Sequence, residues 1–143
     1  MNRIYALALL VLGFSSGCAS LEPQARVCYH RDAADETDIG YCEAVRVGNT
    51  LHVSGTAGKG EMASAMSSVY GRLKQTLEAN GLTFADVVKE NVYATDLDGF
   101  IQHKDIRKEF YGKTLPAATW VQVQRLYVPS LVVEIELTAV YKK

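Results

Sequence analysis

The chain has 143 residues, of which 48% are hydrophobic, and its 15 Lys and Arg nearly balance 16 Asp and Glu for a net charge of −1. That length suits one domain. A near-neutral chain without a basic run lacks the electrostatic footprint that phosphate-backbone binding requires, so nucleic acid is not an expected partner.

Arg3, the uncharged apolar run Ile4 to Phe14 and the small residues Ser15-Ser16-Gly17 predict a secretion signal over residues 1–17. The run is too short for a membrane-spanning helix, which needs about 20 apolar residues. Ser15-Ser16-Gly17-Cys18 resembles the bacterial lipobox, with Ser15 where Leu is usual. That resemblance implies acylation of Cys18, making it a membrane anchor, and Ala19 behind it points to the periplasmic face of the outer membrane. Removing residues 1–17 takes away Arg3 and no acid, which moves the net charge from −1 to −2. Residues 18–26, with Pro23, then read as lipidated Cys and tether, and 27–143 as the single domain. Cys28 and Cys42 remain. An oxidising compartment permits a bridge between them, which would add about 3 kcal/mol for a loop of this size. Two buried free thiols are the alternative, and spacing alone does not decide between them.

Val27 to His30 is a short strand candidate, and Arg31 to Gly40, acidic and without a sizeable apolar residue before Ile39, reads as a loop. Glu43 to Val47 and Thr50 to Ser54 alternate in polarity around Gly48-Asn49, the pattern of a β-hairpin. Glu61 to Asn80 places Met62, Met66, Val69, Leu73 and Leu77 three and four apart, which predicts an amphipathic helix closed by Asn80-Gly81. Phe84 to Val88 reads as a helical turn, Glu90 to Thr95 as a strand, and Phe100 to Tyr111 as a second helix ended by Gly112. Ala118 to Leu126 and Leu131 to Tyr141 are two strands rich in β-branched and aromatic residues. The fold class is α+β: a single mixed β-sheet with two helices packed on one face.

Several familiar motifs fail. Thr56 to Gly60 is not a phosphate loop, because Val53 stands where the first Gly is needed and Gly60 follows Lys59 in place of Ser or Thr. It reads as a flexible loop. His30, His52 and His103 have no zinc-ligand spacing, and no Gly-x-Ser-x-Gly elbow is present. No metal and no cofactor is expected.

From Gly40 onward the chain resembles the reactive-intermediate deaminase (Rid) family, also called the endoribonuclease L-PSP family. The matching stretches are Tyr41 to Asn49, His52-Val53-Ser54-Gly55, Asn80 to Lys89, Val92 to Leu97 before Phe100, Pro116-Ala117 and Val133 to Glu136. Their order and spacing together carry the resemblance. It implies a homotrimer built around a central barrel, with small-molecule clefts between subunits where enamines or imines are hydrolysed to keto acids and ammonia. It also implies that Glu134 positions the water as the catalytic residue, while Tyr41 and the Ser54-Gly55 pair line the cleft.

The family's substrate-binding Arg does not carry over. Pro116-Ala117-Ala118 stands in place of Pro-Ala-Arg, Trp120 occupies a position often held by Cys, and Lys104 replaces an Asn. The stretch after Ser54-Gly55 is shorter than usual, and a Gln of the first long helix is missing. Ala118 and Trp120 share one face of a strand, so the indole would enter any cleft that Ala118 faces. Arg125 lies on the opposite parity. Lys104 would be a substitute point charge for a carboxylate. Two functions follow: a diverged enamine or imine hydrolase, or a non-catalytic trimer that binds a small molecule against Tyr41 and Trp120. The acidic balance disfavours endoribonuclease activity.

Overall fold

A computed structural model of the protein describes residues 24–142. The secretion signal over 1–17 and the anchor Cys18 lie outside the described residues. Eleven elements follow in chain order: β1 (Arg26–Tyr29), α1 (Ala33–Ile39), β2 (Ala44–Val47), β3 (Thr50–Lys59), α2 (Met62–Ala79), a 3-10 turn (Phe84–Asp86), β4 (Val87–Ala94), α3 (Leu97–Gln102), α4 (Lys104–Tyr111), β5 (Ala117–Gln122) and β6 (Leu131–Val140). The expected tether therefore loses Arg26, which pairs with Val47. Among the described residues no helix is long and apolar enough to cross a membrane.

One six-stranded sheet has the order β1-β2-β3-β6-β4-β5. Every pairing is antiparallel except β4 with β5. The β2–β3 hairpin turns at Gly48-Asn49, where Gly48 takes φ 59°, a left-handed conformation that glycine adopts without steric cost. Alternation then sorts the faces. Leu51, Val53, Val92, Val133, Ile135 and Leu137 are buried on one side. α2, α3 and α4 cover that side, and Met66, Val69, Tyr70, Leu73 and Leu77 of α2 complete the core with Phe100 of α3. The opposite face carries the polar row Asn91, Tyr93, Glu134 and Glu136.

Four expectations are corrected. The segment Arg31 to Gly40 is not all loop: it contains α1, because Asp32 caps the helix by accepting from Asp35 N and Gly40 ends it at φ 95°. Thr56 to Lys59 is not a flexible loop but part of β3, paired with Ile135, Glu134, Val133 and Leu131. Gly58 there brings the strand close under α2, since a Cβ would stand 2.9 Å from Val69 Cγ2. The second helix begins earlier, at Leu97, and breaks at His103 into α3 and α4. β5 stops at Gln122, short of Leu126, so strand parity does not reach Arg125, whose Nε donates to the Leu126 carbonyl at 3.2 Å.

Candidate active site

The site is built on an irregularity in β3. Its register against β6 shifts between Val53, opposite Leu137, and Thr56, opposite Ile135. Val53 and Thr56 are both buried, so Ser54 and Gly55 form an extra step. Such bulges bend a strand and re-aim its side chains. Ser54 Oγ donates to the Cys42 carbonyl at 2.7 Å, which ties the bulge to the strand leading from Tyr41. Gly55 leaves its space to a neighbour: a Cβ there would lie 2.8 Å from Glu134 Cδ. The Glu134 carboxylate therefore rests on the bulge, one strand away.

Together these residues line a cleft of about 450 Å³ that contains Tyr41, Ser54, Gly55 and Glu134 along with Arg31, Arg72, Glu43 and Tyr127. Burial, and then the charge of Glu136, push the Glu134 carboxyl above its ordinary value. Burial, followed by Glu36 and Glu43, likewise raises the Tyr41 phenol. Glu136 is itself held by Asn91 Nδ2 at 2.6 Å and the Tyr93 hydroxyl at 3.2 Å.

Two guanidinium groups reach this cleft. Arg72, from α2, donates to the Ala57 carbonyl, while its buried Nε has no partner among the described residues. Burial and then the neighbouring Arg31 lower its pKa, yet an arginine stays charged in proteins. Arg31 lies 3.6 Å from Glu43 Oε1, which also accepts from Thr76 Oγ1 at 2.9 Å. Arg31, beside Glu43, and Arg72 thus set two guanidinium groups on one wall of the cleft, where an entering anion would meet them. Sequence reasoning missed both arginines. The available signal was Arg72 standing beside the apolar stripe of α2, three residues after Val69 and next to Leu73.

Lys104, Ala118 and Trp120 are not brought to this cleft within one chain. Lys104 begins α4 and is exposed. Ala118 and Trp120 lie opposite Glu90 and Val92 in register, so the indole turns to the helix side. It packs edge-on against Phe100 with ring centroids 5.2 Å apart and donates to Glu90 Oε2 at 3.3 Å. Glu90 is fully buried and is held further by Arg107 Nε at 2.6 Å and by the hydroxyls of Tyr70 and Tyr111, each at 2.9 Å. Trp120 thus belongs to a satisfied buried network.

Next to the cleft, Cys28 and Cys42 are joined, with Cα atoms 5.7 Å apart. Their sulfurs and a His30 ring nitrogen lie within 4.8 Å of one another, although His30 has no metal-ligand spacing along the chain. Glu36 of α1 is buried and accepts from the backbone N–H groups of Arg31, Asp32 and Glu43 at 3.1, 2.9 and 3.1 Å. Burial works to raise its carboxyl, but the hydrogen bonds from Asp32, His30, Arg31 and Glu43 outweigh it and hold the group below its ordinary value.

The arrangement defines a small α+β domain whose sheet bulge seats a desolvated carboxylate beside a cationic wall. The family model described as Endoribonuclease L-PSP matches residues 32–141, and the chain belongs to that family. A RutC family protein of Pyrococcus horikoshii is 31% identical over 112 residues, covering 72% of this chain and 87% of that protein. A 2-iminobutanoate/2-iminopropanoate deaminase of Dermatophagoides farinae is 32% identical over 95 residues, covering 60% and 74%. Among solved structures, a YjgF-family protein of Mycobacterium tuberculosis superposes with a TM-score of 0.75 at 32% identity, covering 82% of this chain and all of that one. RidA from an Antarctic Psychrobacter gives 0.67 at 33% identity, covering 71% and 89%.

Proposed function

We propose that the protein is an exported, lipid-anchored hydrolase of enamine or imine small molecules, with Glu134 as its catalytic carboxylate and Arg72 and Arg31 in the role of the missing substrate-binding Arg. The observation that carries this reading is the seat of Glu134 on Gly55, in one cleft with Tyr41, Ser54 and two guanidinium groups. A carboxylate-bearing imine would place its anion against the arginines, where charge-assisted hydrogen bonds are strongest. Water then adds to the imine carbon, giving up a proton to Glu134 as the C–O bond forms. Glu134 returns that proton to the nitrogen, giving a carbinolamine. It then carries the remaining hydroxyl proton to the same nitrogen as C–O becomes C=O and the C–N bond breaks, and keto acid and ammonia leave. A carboxyl raised above its ordinary value suits both halves of that transfer.

Assembly as a homotrimer completes the reading. Exposed Tyr127, Val128 and Val121 give one chain apolar surface to bury, and a neighbouring subunit would bring the region of Lys104, Ala118 and Trp120 toward a cleft it does not reach alone. Cys18 would tether each subunit to the outer membrane from the periplasmic side, and three anchors would hold far more firmly than one. The Cys28–Cys42 bridge is in keeping with an oxidising compartment. Metabolic labelling with a palmitate analogue tests the anchor: incorporation lost in Cys18→Ser is expected, and no incorporation contradicts it.

The activity is tested with the full chain and 2-iminopropanoate generated in situ by an amino-acid oxidase. Faster ammonia release than in buffer, lost in Glu134→Gln, is the expected result. Binding of a keto acid without acceleration would favour the non-catalytic trimer, the reading favoured by the Ala at position 118.

A further inference from the structure

Beside the cleft, the β1–α1 junction places a disulfide sulfur, an imidazole and a carboxylate in succession. Cys28 Sγ lies 3.0 Å from His30 Nε2, and His30 Nδ1 lies 2.7 Å from Glu36 Oε2. Glu36 accepts from His30 Nδ1–H, which orients the ring with Nε2 turned toward the sulfur. Glu36 is 2% exposed and its three backbone bonds keep it in place. An imidazole oriented by a carboxylate is how cysteine nucleophiles are activated.

The two cysteines are also unequal. Cys28 is exposed on the edge strand β1, whereas Cys42 is half-buried next to Glu43. We infer that Cys28–Cys42 is an exchange-active disulfide in which Cys28 is the nucleophile, Cys42 the resolving cysteine, His30 the base and Glu36 the residue that positions it. Its reaction partners are small-molecule thiols and disulfides.

In the reduced protein His30 takes the Cys28 proton, and the thiolate attacks an external disulfide. A Cys28–S–S–R bond forms while the R–S–S–R bond breaks, expelling one thiolate, R–S⁻. Cys42, losing its proton to solvent, attacks Cys28 Sγ, re-forms the internal bond and expels the second R–S⁻. The two thiolates take up the two protons released, so the protein dithiol is oxidised and the external disulfide is reduced to two thiols. The reverse sequence opens the bridge. This inference does not depend on the hydrolytic reading.

The test uses the full chain carrying Cys18→Ser, reduced and then mixed with oxidised glutathione at neutral pH. The glutathione adduct is expected on Cys28, followed by closure of the bridge. An ordinary thiol is only a few per cent ionised there, so thiolate absorption in the ultraviolet above that level is expected from reduced Cys42→Ser. His30→Ala should remove that absorption and slow oxidation roughly fivefold, with an unchanged circular dichroism spectrum. Glu36→Gln should reduce the absorption, a readout that a purely structural role would not move. If Cys42→Ser does not fold, the same measurements on the dithiol form decide. An adduct on Cys42, or equal rates and absorption with and without His30, would overturn the inference.

Discussion

The carboxylate of Glu134 occupies the space that a side chain at Gly55 would need. Gly55 in turn exists as an extra step only because β3 bulges against β6. The pair therefore couples a backbone irregularity to the position of the one carboxylate proposed to move protons. Gly55→Ala should displace Glu134 while leaving the helix-covered core untouched. The expected outcome is a drop of at least about tenfold in kcat/KM for imine hydrolysis, since small misplacements of a catalytic group are costly, with an unchanged far-ultraviolet circular dichroism spectrum.

Glu134→Gln separates activity from stability. Loss of the proton carrier should lower kcat by about 10²-fold or more. Because burial and Glu136 raise the Glu134 carboxyl in the folded state, its contribution is favourable below the ordinary carboxylate range and is lost as pH rises through the raised value. At neutral pH the ionised group therefore weighs against folding. Thermal melting of Glu134→Gln should occur above the wild type at neutral pH, with the two curves converging in acid.

Glu36 has the opposite sign. Its folded-state carboxyl is held low, so its stabilisation is present above the ordinary carboxylate range and fades as pH falls through the lowered value. Glu36→Ala leaves the N–H groups of Arg31, Asp32 and Glu43 without their acceptor and should cost about 1–3 kcal/mol. Urea unfolding at neutral and at acid pH checks both the loss and its disappearance in acid.

Arg107 and Glu90 form a buried pair at 2.6 Å, with Glu90 fully enclosed. Arg107→Met removes the cation and leaves the carboxylate among hydroxyls and an indole. Breaking such a pair on one side costs about 3–5 kcal/mol. Denaturant unfolding should show that loss, and the double variant Arg107→Met with Glu90→Gln should recover part of it.

Arg72 tests the cationic wall. Arg72→Gln keeps a hydrogen-bond donor near the Ala57 carbonyl but removes the charge. Loss of a charge-assisted bond, about 1.5–3 kcal/mol, predicts a ten- to hundredfold weaker response to carboxylate-bearing substrates. An uncharged imine should be affected much less, and steady-state kinetics on both substrates would show the difference.

The sequence was legible where a single local rule decides. The Gly48-Asn49 turn, the three-and-four spacing of α2 and the alternation of β6 each point to one structure. α1 was not, because its stability comes from the Asp32 cap and the buried Glu36 carboxylate, and neither shows in apolar periodicity. Thr56 to Gly60 reads as loose because of its two glycines, yet Gly58 packs closely under α2 and the strand through Lys59 is fixed by β6, far away in sequence. In the site, Tyr41, Ser54, Gly55 and Glu134 converge in one cleft. Trp120 does not, since its parity with Glu90 turns it into the helix layer. Arg72 and Arg31 went unread because nothing local marks a surface-type base as the wall of a cleft whose other lining comes from α1, β3, β6 and the segments between elements.

The measurement that bears most directly on the central claim is ammonia release from 2-iminopropanoate by the full chain, compared with Glu134→Gln under identical conditions. The account predicts clear acceleration over buffer by the wild type and its near-complete loss in the variant, with both proteins folded. Equal rates for wild type, variant and buffer would contradict it.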